Sequence, residues 1–414
     1  MRVLWFTNTP SRYAPFGGYN GGGWIYSLEE EMSKREDIDL GIAFFMNGQK
    51  KKVHKNGVTY YPIEDPFTSS NINKLKGKFI SQKGKEKEWL NRFQHVIEDF
   101  VPDVIEVFGS EQSFGQVAEY TKVPVVLHIQ GILTPYYNAF LPPFISKHNY
   151  IWEDCNPFHA FKRFRGLRSF YKNGVRELNM VQHISYFIGR TEWDKRLTHL
   201  FNPKAKYFYG SEILRDVFYA PVERHIPPKA MIISTLSSPL YKGYETVLKT
   251  AKLLKELSCI DFDWRIYGNI DPKFVERRLR IYHDDVNVRF MGVASSEELK
   301  NELSSATAYV HLSYIDNSPN SVCEAQITGI PVIATNVGGI PSLIQDGETG
   351  FLVPANDPYQ TAYLIHELSE NKEMNNNVGK RAREVALKRH DKNVIVNSLI
   401  NSYKDIINEK SEIK

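Results

Sequence analysis

Short apolar runs of strand length alternate with amphipathic helical stretches twice along this chain, and few folds accept that order. RVLWFT (2–7), IDLGIAFF (38–45), VTYYPI (58–63), DVIEVFG (103–109) and PVVLHIQG (124–131) read as strands. Between them, WIYSLEEEM sets Ile25, Leu28 and Met32 on one helical face, and WLNRFQHVIEDF is a second helix. FIGRTEWD and KYFYGS close the first set. The stretch 204–230 crosses over and ends in ERHIPPK, whose proline pair stops any helix. AMIISTL restarts the pattern, and GYETVLKTAKLLKEL carries Tyr244, Val247, Leu248, Ala251, Leu254 and Leu257 along one face. FDWRIYG, VRFMG, ATAYVHLS, PVIAT and GFLVP follow as strands separated by helices. The alternation predicts two Rossmann-like, doubly wound α/β domains, residues 1–220 and 221–394, facing across a cleft. KNVIVNSLINSYKDIINE is helical, and a helix over about 395–414 is expected to pack back on the first domain. Ligands of such sheets bind beyond the strand C-termini, which places the working site in the cleft.

A chain of 414 residues is too long for one ordinary core, and 42% apolar with 24% charged residues is a globular balance. VLWF (3–6) meets polar TNTP at once, so it is a buried first strand and not a secretion signal. No run approaches the ~20 apolar residues of a membrane span. Cys155, Cys259 and Cys323 are scattered without metal-ligand spacing and fit reduced thiols. A cytoplasmic protein is expected, either free or peripheral on the inner face of the membrane. Residues 1–220 hold 29 Lys and Arg against 23 Asp and Glu, and the rest hold 23 against 25, so an anionic partner is sought on the front half. No helix-turn-helix, zinc-finger or RNP pattern points to nucleic acid. Residues 69–88 are polar and lysine-rich and read as a solvated loop or helix.

The chemistry concentrates in DNSPNSVCEAQITG, where Asp316 and Glu324 flank a strand-to-helix turn. Asn317, Ser318 and Asn320 are expected to cap the helix entrance. The free amides of a helix N-terminus favour anions. Glu324 could accept two hydrogen bonds from a vicinal diol such as a ribose, and Asp316 one from a sugar hydroxyl. On the carboxylates alone, a helix-dipole partner and a turn cap serve equally well. Gly21, Gly22 and Gly23 follow the first strand, where backbone without Cβ atoms can approach a phosphate or sugar.

Asp316-x7-Glu324 followed by AQITGIPVIATNVGGIPSLI resembles the Glu-x7-Glu region of family 4 glycosyltransferases, closely over 309–353 and more loosely over essentially the whole chain. The resemblance implies the GT-B fold and retaining transfer from a UDP- or GDP-linked sugar. It implies no cofactor and no metal. Asp316, Lys242 and Gln130 are then the catalytic candidates. Gly21, Gly22, Gly23, Lys242, Asn317, Ser318, Glu324, Gly268 and Met291 are the donor-binding ones. The matching helix start is LYKGYETVL, in which Lys242 would neutralise the diphosphate. Gly268 and VRFMG match the region that holds the nucleotide base through its backbone. Three positions depart from the family: Asp316 replaces the first Glu, Ser237 stands where an Arg is common, and Gln130 where a His is. Arg190 is the candidate replacement cation from the other domain, with a structural ion pair as the equal alternative. PDVIEVFGSEQ and GRTEWDK are similar to a branch found in bacterial capsule and exopolysaccharide pathways.

Asp261-Phe262-Asp263 spells the Asp-x-Asp of a metal site but precedes its strand, and reads as two solvated acids in a turn. Residues 136–171 hold eleven aromatics, and 157–176 hold six Lys and Arg with no acid. Arg165 and Arg168 lie on this basic amphipathic stretch. It could face an anionic membrane surface, a glycan or a polyprenyl-diphosphate-linked acceptor, or be a core helix with a solvated side. A nucleotide-sugar epimerase of the same architecture and a non-catalytic nucleotide-sugar-binding relative are the alternatives to transfer. A dinucleotide oxidoreductase fails because no Gly-x-Gly-x-x-Gly follows either first strand.

Overall fold

The computed structural model describes residues 1–14, 23–48, 51–67, 80, 82–225, 227–258 and 260–412. The two alternating sets form two sheets. The front sheet holds β1 (Arg2–Thr7), β2 (Asp39–Phe45), β3 (Val53–Lys55), β4 (Val58–Ile63), β5 (Val104–Phe108), β6 (Val125–His128), β7 (Tyr186–Gly189) and β8 (Lys206–Tyr209). Their order is β3-β4-β2-β1-β5-β6-β7-β8, parallel except for the short hairpin partner β3. The rear sheet holds β9 (Ala230–Thr235), β10 (Phe262–Tyr267), β11 (Val288–Gly292), β12 (Ala308–His311), β13 (Val332–Thr335) and β14 (Phe351–Val353). Its parallel order is β11-β10-β9-β12-β13-β14. Parallel strands need crossover connections, which explains the helix between successive strands. Among the described residues no helix is long and apolar enough to cross a membrane.

Each lobe also takes in a piece of chain from the other. The helix Lys392–Glu412 buries Ile395, Val396, Leu399, Ile400, Tyr403 and Ile406 against Trp5 and Trp24 of the front core. Tyr403 donates to the buried Glu106 and accepts from Trp5 Nε1 at 3.1 Å. In the opposite direction, a strap from the front half buries Ile145 in the rear core, with Phe140, Leu141, Phe144 and Tyr150 packed around it. Apolar side chains in an irregular loop leave no periodic signal, and the sequence pattern did not show this strap.

Two local expectations are corrected. The helix Asn320–Thr328 enters through Pro319 with no side-chain cap, because Asn317 and Ser318 turn toward the front lobe. Asp263 lies within β10, where it binds Arg265 and Arg289 and is not a solvated turn residue.

Candidate active site

A cavity of about 390 Å³ opens between the two sheets at their C-terminal strand ends. Lys242, Asp316, Ser318, Glu324, Gln130, Arg190, Gly23 and Gly268 all line it, so residues from both lobes meet there. Gly21 and Gly22 lie outside the described residues.

Lys242 follows β9 and precedes the helix Tyr244–Leu257. The intervening Gly243 has φ +72°, and a Cβ there would strike the Leu312 carbonyl. This close approach brings the partly buried Lys242 ammonium onto the Asp316 carboxylate, with which it pairs. Asp316 also accepts from His311 Nε2 at 2.9 Å, Tyr136 Oη at 3.1 Å and Ser313 Oγ at 3.4 Å. Burial alone would raise the Asp316 pKa, but Lys242 and the His311 hydrogen bond hold it well below the usual carboxylate range. Burial lowers His311, which is therefore a neutral donor in this contact. Lys242, His311 and Ser313 all bind Oδ2, so Asp316 fixes Lys242 at the cavity wall while Oδ1, with Tyr136 alone, can still accept.

Glu324 sits one residue past the first turn of its helix and is 4% exposed. Arg215 grips it with two parallel bonds, Nε to Oε1 at 2.8 Å and Nη2 to Oε2 at 2.7 Å. Burial raises the Glu324 pKa, and Arg215 opposes the rise. The second lone pair of each oxygen is still able to accept from a ligand. Arg215 had no counterpart in the sequence reading. It lies in the aperiodic crossing 204–230, and the only signal was a cation between the two sets of strands.

Arg190 is 4% exposed, stands 4.2 Å over the Trp24 ring and lies 3.3 Å from Glu212. Among the described residues its Nε and one terminal nitrogen have no hydrogen-bond acceptor. Ser237 also lines the cavity, so Lys242, Arg190 and Arg215 are three cations around the position where the expected Arg is missing. Asn320 and Ser321 line it too, at the uncapped helix start, where backbone N–H groups lack intrahelical partners. Gln130 lines the cavity, and among the described residues its buried carboxamide nitrogen has no partner. The concave wall thus combines cations, amides and one carboxamide, which suits an anionic, hydroxyl-rich ligand.

Gly268 has φ +125°, and any Cβ would collide with the Leu236 carbonyl. The wall beside it is Tyr267, Val293 and Ala294. Met291 is not among the lining residues and is 43% exposed. A register shift at Ile266/Tyr267 pairs Tyr267 with Gly292 and displaces that strand end. The Asn317 side chain is committed across the lobes: Nδ2 donates to Asp194 Oδ2 at 2.9 Å and to the Gln130 carbonyl at 3.2 Å, while Oδ1 accepts from Thr191 at 2.6 Å. Ser318 donates to Glu212 at 2.8 Å. Arg165 and Arg168 lie on the helix Pro157–Val181; Arg168 borders a separate hollow and Arg165 stands over Phe161.

Folding also brings Cys323 to within ligand distance of Glu212 and His390, a grouping that the scattered cysteines concealed. The thiol is a poor ligand here, because burial and then the Glu212 carboxylate raise its pKa. Glu212 already answers Arg190 and Ser318.

Residues 221–385 match the family described as "Glycosyl transferases group 1". The chain is 34% identical over 95 residues to a D-inositol 3-phosphate glycosyltransferase of Streptomyces avermitilis, covering 23% of this chain and 20% of that protein. It is 33% identical over 138 residues to the putative colanic acid biosynthesis glycosyltransferase WcaL of Salmonella typhimurium, covering 31% and 33%. The chain thus spans a fifth to a third of these relatives. Its whole fold superposes on sucrose-phosphate synthase from Thermosynechococcus elongatus with TM-score 0.73, 15% identity and 99% coverage of both chains. It superposes on Anabaena HepE, in complex with UDP and glucose, with TM-score 0.63, 15% identity and coverage of 98% and 100%. Both likenesses show the two-lobed GT-B architecture.

Proposed function

We propose, from the match of residues 221–385 to the family described as "Glycosyl transferases group 1", that this chain moves a sugar from a nucleotide-sugar, UDP- or GDP-linked, to a glycan or polyprenyl-diphosphate-linked acceptor. The rear lobe, residues 221–394, takes the donor, and the front lobe, residues 1–220 with the C-terminal helix, takes the acceptor. The observation that carries the reading is the convergence of Lys242, Arg190, Arg215 and the uncapped helix start on one cavity. The likeness to HepE supports UDP as the nucleotide, and the likeness to WcaL supports polysaccharide synthesis.

Breaking the anomeric bond puts negative charge on the departing diphosphate. Lys242 and the amides at Asn320 and Ser321 meet that charge from the rear lobe, and Arg190 meets it from the front. Arg215 adds a third cation beside Glu324. Each well-placed donor of this kind is worth about 3–4 kcal/mol in the transition state. These side chains supply the countercharge that a divalent ion would otherwise provide, so transfer is expected to proceed in the presence of a chelator. Glu324 receives the ribose hydroxyls, Gln130 a sugar hydroxyl, and Asp316 keeps Lys242 in register. The acceptor hydroxyl attacks the face the diphosphate is leaving. Its proton passes to the departing phosphate oxygen, and configuration is retained.

The test is a thermal-shift screen of nucleotides and nucleotide-sugars, followed by transfer of a labelled sugar in EDTA. Stabilisation by one nucleotide and formation of a labelled product are expected. Binding without turnover would leave a non-catalytic relative, and recovery of an isomeric donor would indicate an epimerase. A nucleotide bound far from residues 316–324 would overturn the reading.

A further inference from the structure

The geometry points to a membrane-docking face on the front lobe, built by the helix Pro157–Val181 and the hollow beside it, with an anionic phospholipid bilayer as its occupant. The helix leaves Phe158, Phe161, Phe164, Tyr171 and Val175 exposed, Phe158 by 85% and Phe161 by 61%. These positions fall three, four or seven residues apart and share one face. Lys162, Arg165, Arg168 and Lys172 are interleaved with them, and among the described residues no carboxylate pairs with any of the four. The remaining two cations of the helix are held inward. Arg163 binds Glu153 at 2.8 Å and Asp154 at 3.1 Å, and Arg176 donates to the Glu111 carbonyl.

Tyr137, Lys147, Ile151 and Leu167 join Arg168 and Lys172 around a hollow of about 420 Å³ that has no acid among its described lining residues. An ordinary solvated helix face interleaves both charge signs and hides its rings. A face of rings and unpaired cations calls for a partner that is apolar just below an anionic surface. A bilayer satisfies both requirements, with the rings at the head-group boundary and the cations among the phosphates. The face also leads to the cleft. Tyr137 walls the hollow while the adjacent Tyr136 donates to Asp316, so the short helix Leu133–Asn138 links the two. A lipid-carried acceptor would thereby meet the donor pocket from the membrane side. That last step rests on the transferase reading, whereas the docking does not.

The test is co-sedimentation of the full chain with phosphatidylcholine vesicles, with and without phosphatidylglycerol. Partition only into the anionic vesicles is expected, weakening as salt rises. A cation at such a surface is worth about five-fold in partition. The double variant Lys162→Gln/Lys172→Gln should therefore lose about 25-fold. Phe158→Ser/Phe161→Ser should lose about ten-fold or more, from the apolar burial forgone. Both variants should keep the wild-type melting temperature, which separates lost docking from lost folding. Absence of partition, or partition unchanged in both variants, would overturn the proposal. Retention on heparin without vesicle binding would also overturn it, reassigning the face to a polyanionic glycan.

Discussion

Arg215, from the crossing between the lobes, and Glu324, from the rear lobe, close a two-pronged pair, at 2.8 and 2.7 Å, on the wall of the cleft. Glu324→Ala removes the carboxylate proposed for the ribose and leaves a guanidinium unanswered. Loss of hydrogen bonds to a charged group costs about 1.5–3 kcal/mol, or roughly 10- to 100-fold in nucleotide affinity. Titration calorimetry with UDP and GDP checks this. Unchanged affinity would remove Glu324 from the donor site.

Lys242 should act mainly on turnover. Lys242→Ala is expected to lower kcat about 100- to 1000-fold, in line with the loss of one preorganised charge donor. Nucleotide affinity should change far less, since Arg190, Arg215 and the helix start remain. Lys242→Arg should restore part of the rate. Steady-state kinetics separating kcat from KM decides the matter, and an equal loss in affinity would contradict it.

Asn317 ties the lobes through Asp194, Thr191 and Gln130 while fully buried. Asn317→Ala should cost about 1–3 kcal/mol. Asn317→Asp is nearly isosteric yet should lower the melting temperature further, because it sets a second carboxylate against Asp194. A thermal melt of both variants gives the order, and equal melting temperatures would show that the interlobe bonds carry no weight.

Glu177 supplies a pH dependence. It is buried in the helix Pro157–Val181 and accepts from Ser110 and from the Leu133 and Thr134 amides. Burial pushes its pKa up to about 7, against the pull of those bonds. The folded state therefore binds this proton more tightly than the unfolded chain, whose Glu titrates near ~4.3. The stabilising contribution is complete below that unfolded value and is lost as pH rises through about 7. Glu177→Gln should flatten the fall in stability between that unfolded value and about 7 in urea titrations. A slope unchanged by the substitution would refute the assignment.

Much of the fold was legible because strand and helix periods alternate so regularly. The same regularity places strand ends, and so it located Lys242, Asp316, Gln130, Gly268 and Glu324 around one cleft. What stayed hidden depends on contacts between distant segments. Arg215 sits in a crossing without period, and nothing local marks its partner 109 residues away. Asn317 and Ser318 look like helix caps in one dimension, but in three they face residues of the front half. Met291 follows the strand pattern, yet it is the residue skipped at the register shift between β10 and β11, and it does not line the cavity.

The reciprocal exchange of chain has a consequence for how such a molecule can be recombined. Ile145 plugs the rear core from the front half, and Tyr403 anchors the chain's end beneath the front sheet. A chimera joined at a single crossover near residue 221 would inherit a plug and an anchor shaped for absent hosts. Grafting a foreign donor lobe onto this front lobe therefore requires the strap and the terminal helix to travel with their hosts, at several junctions instead of one.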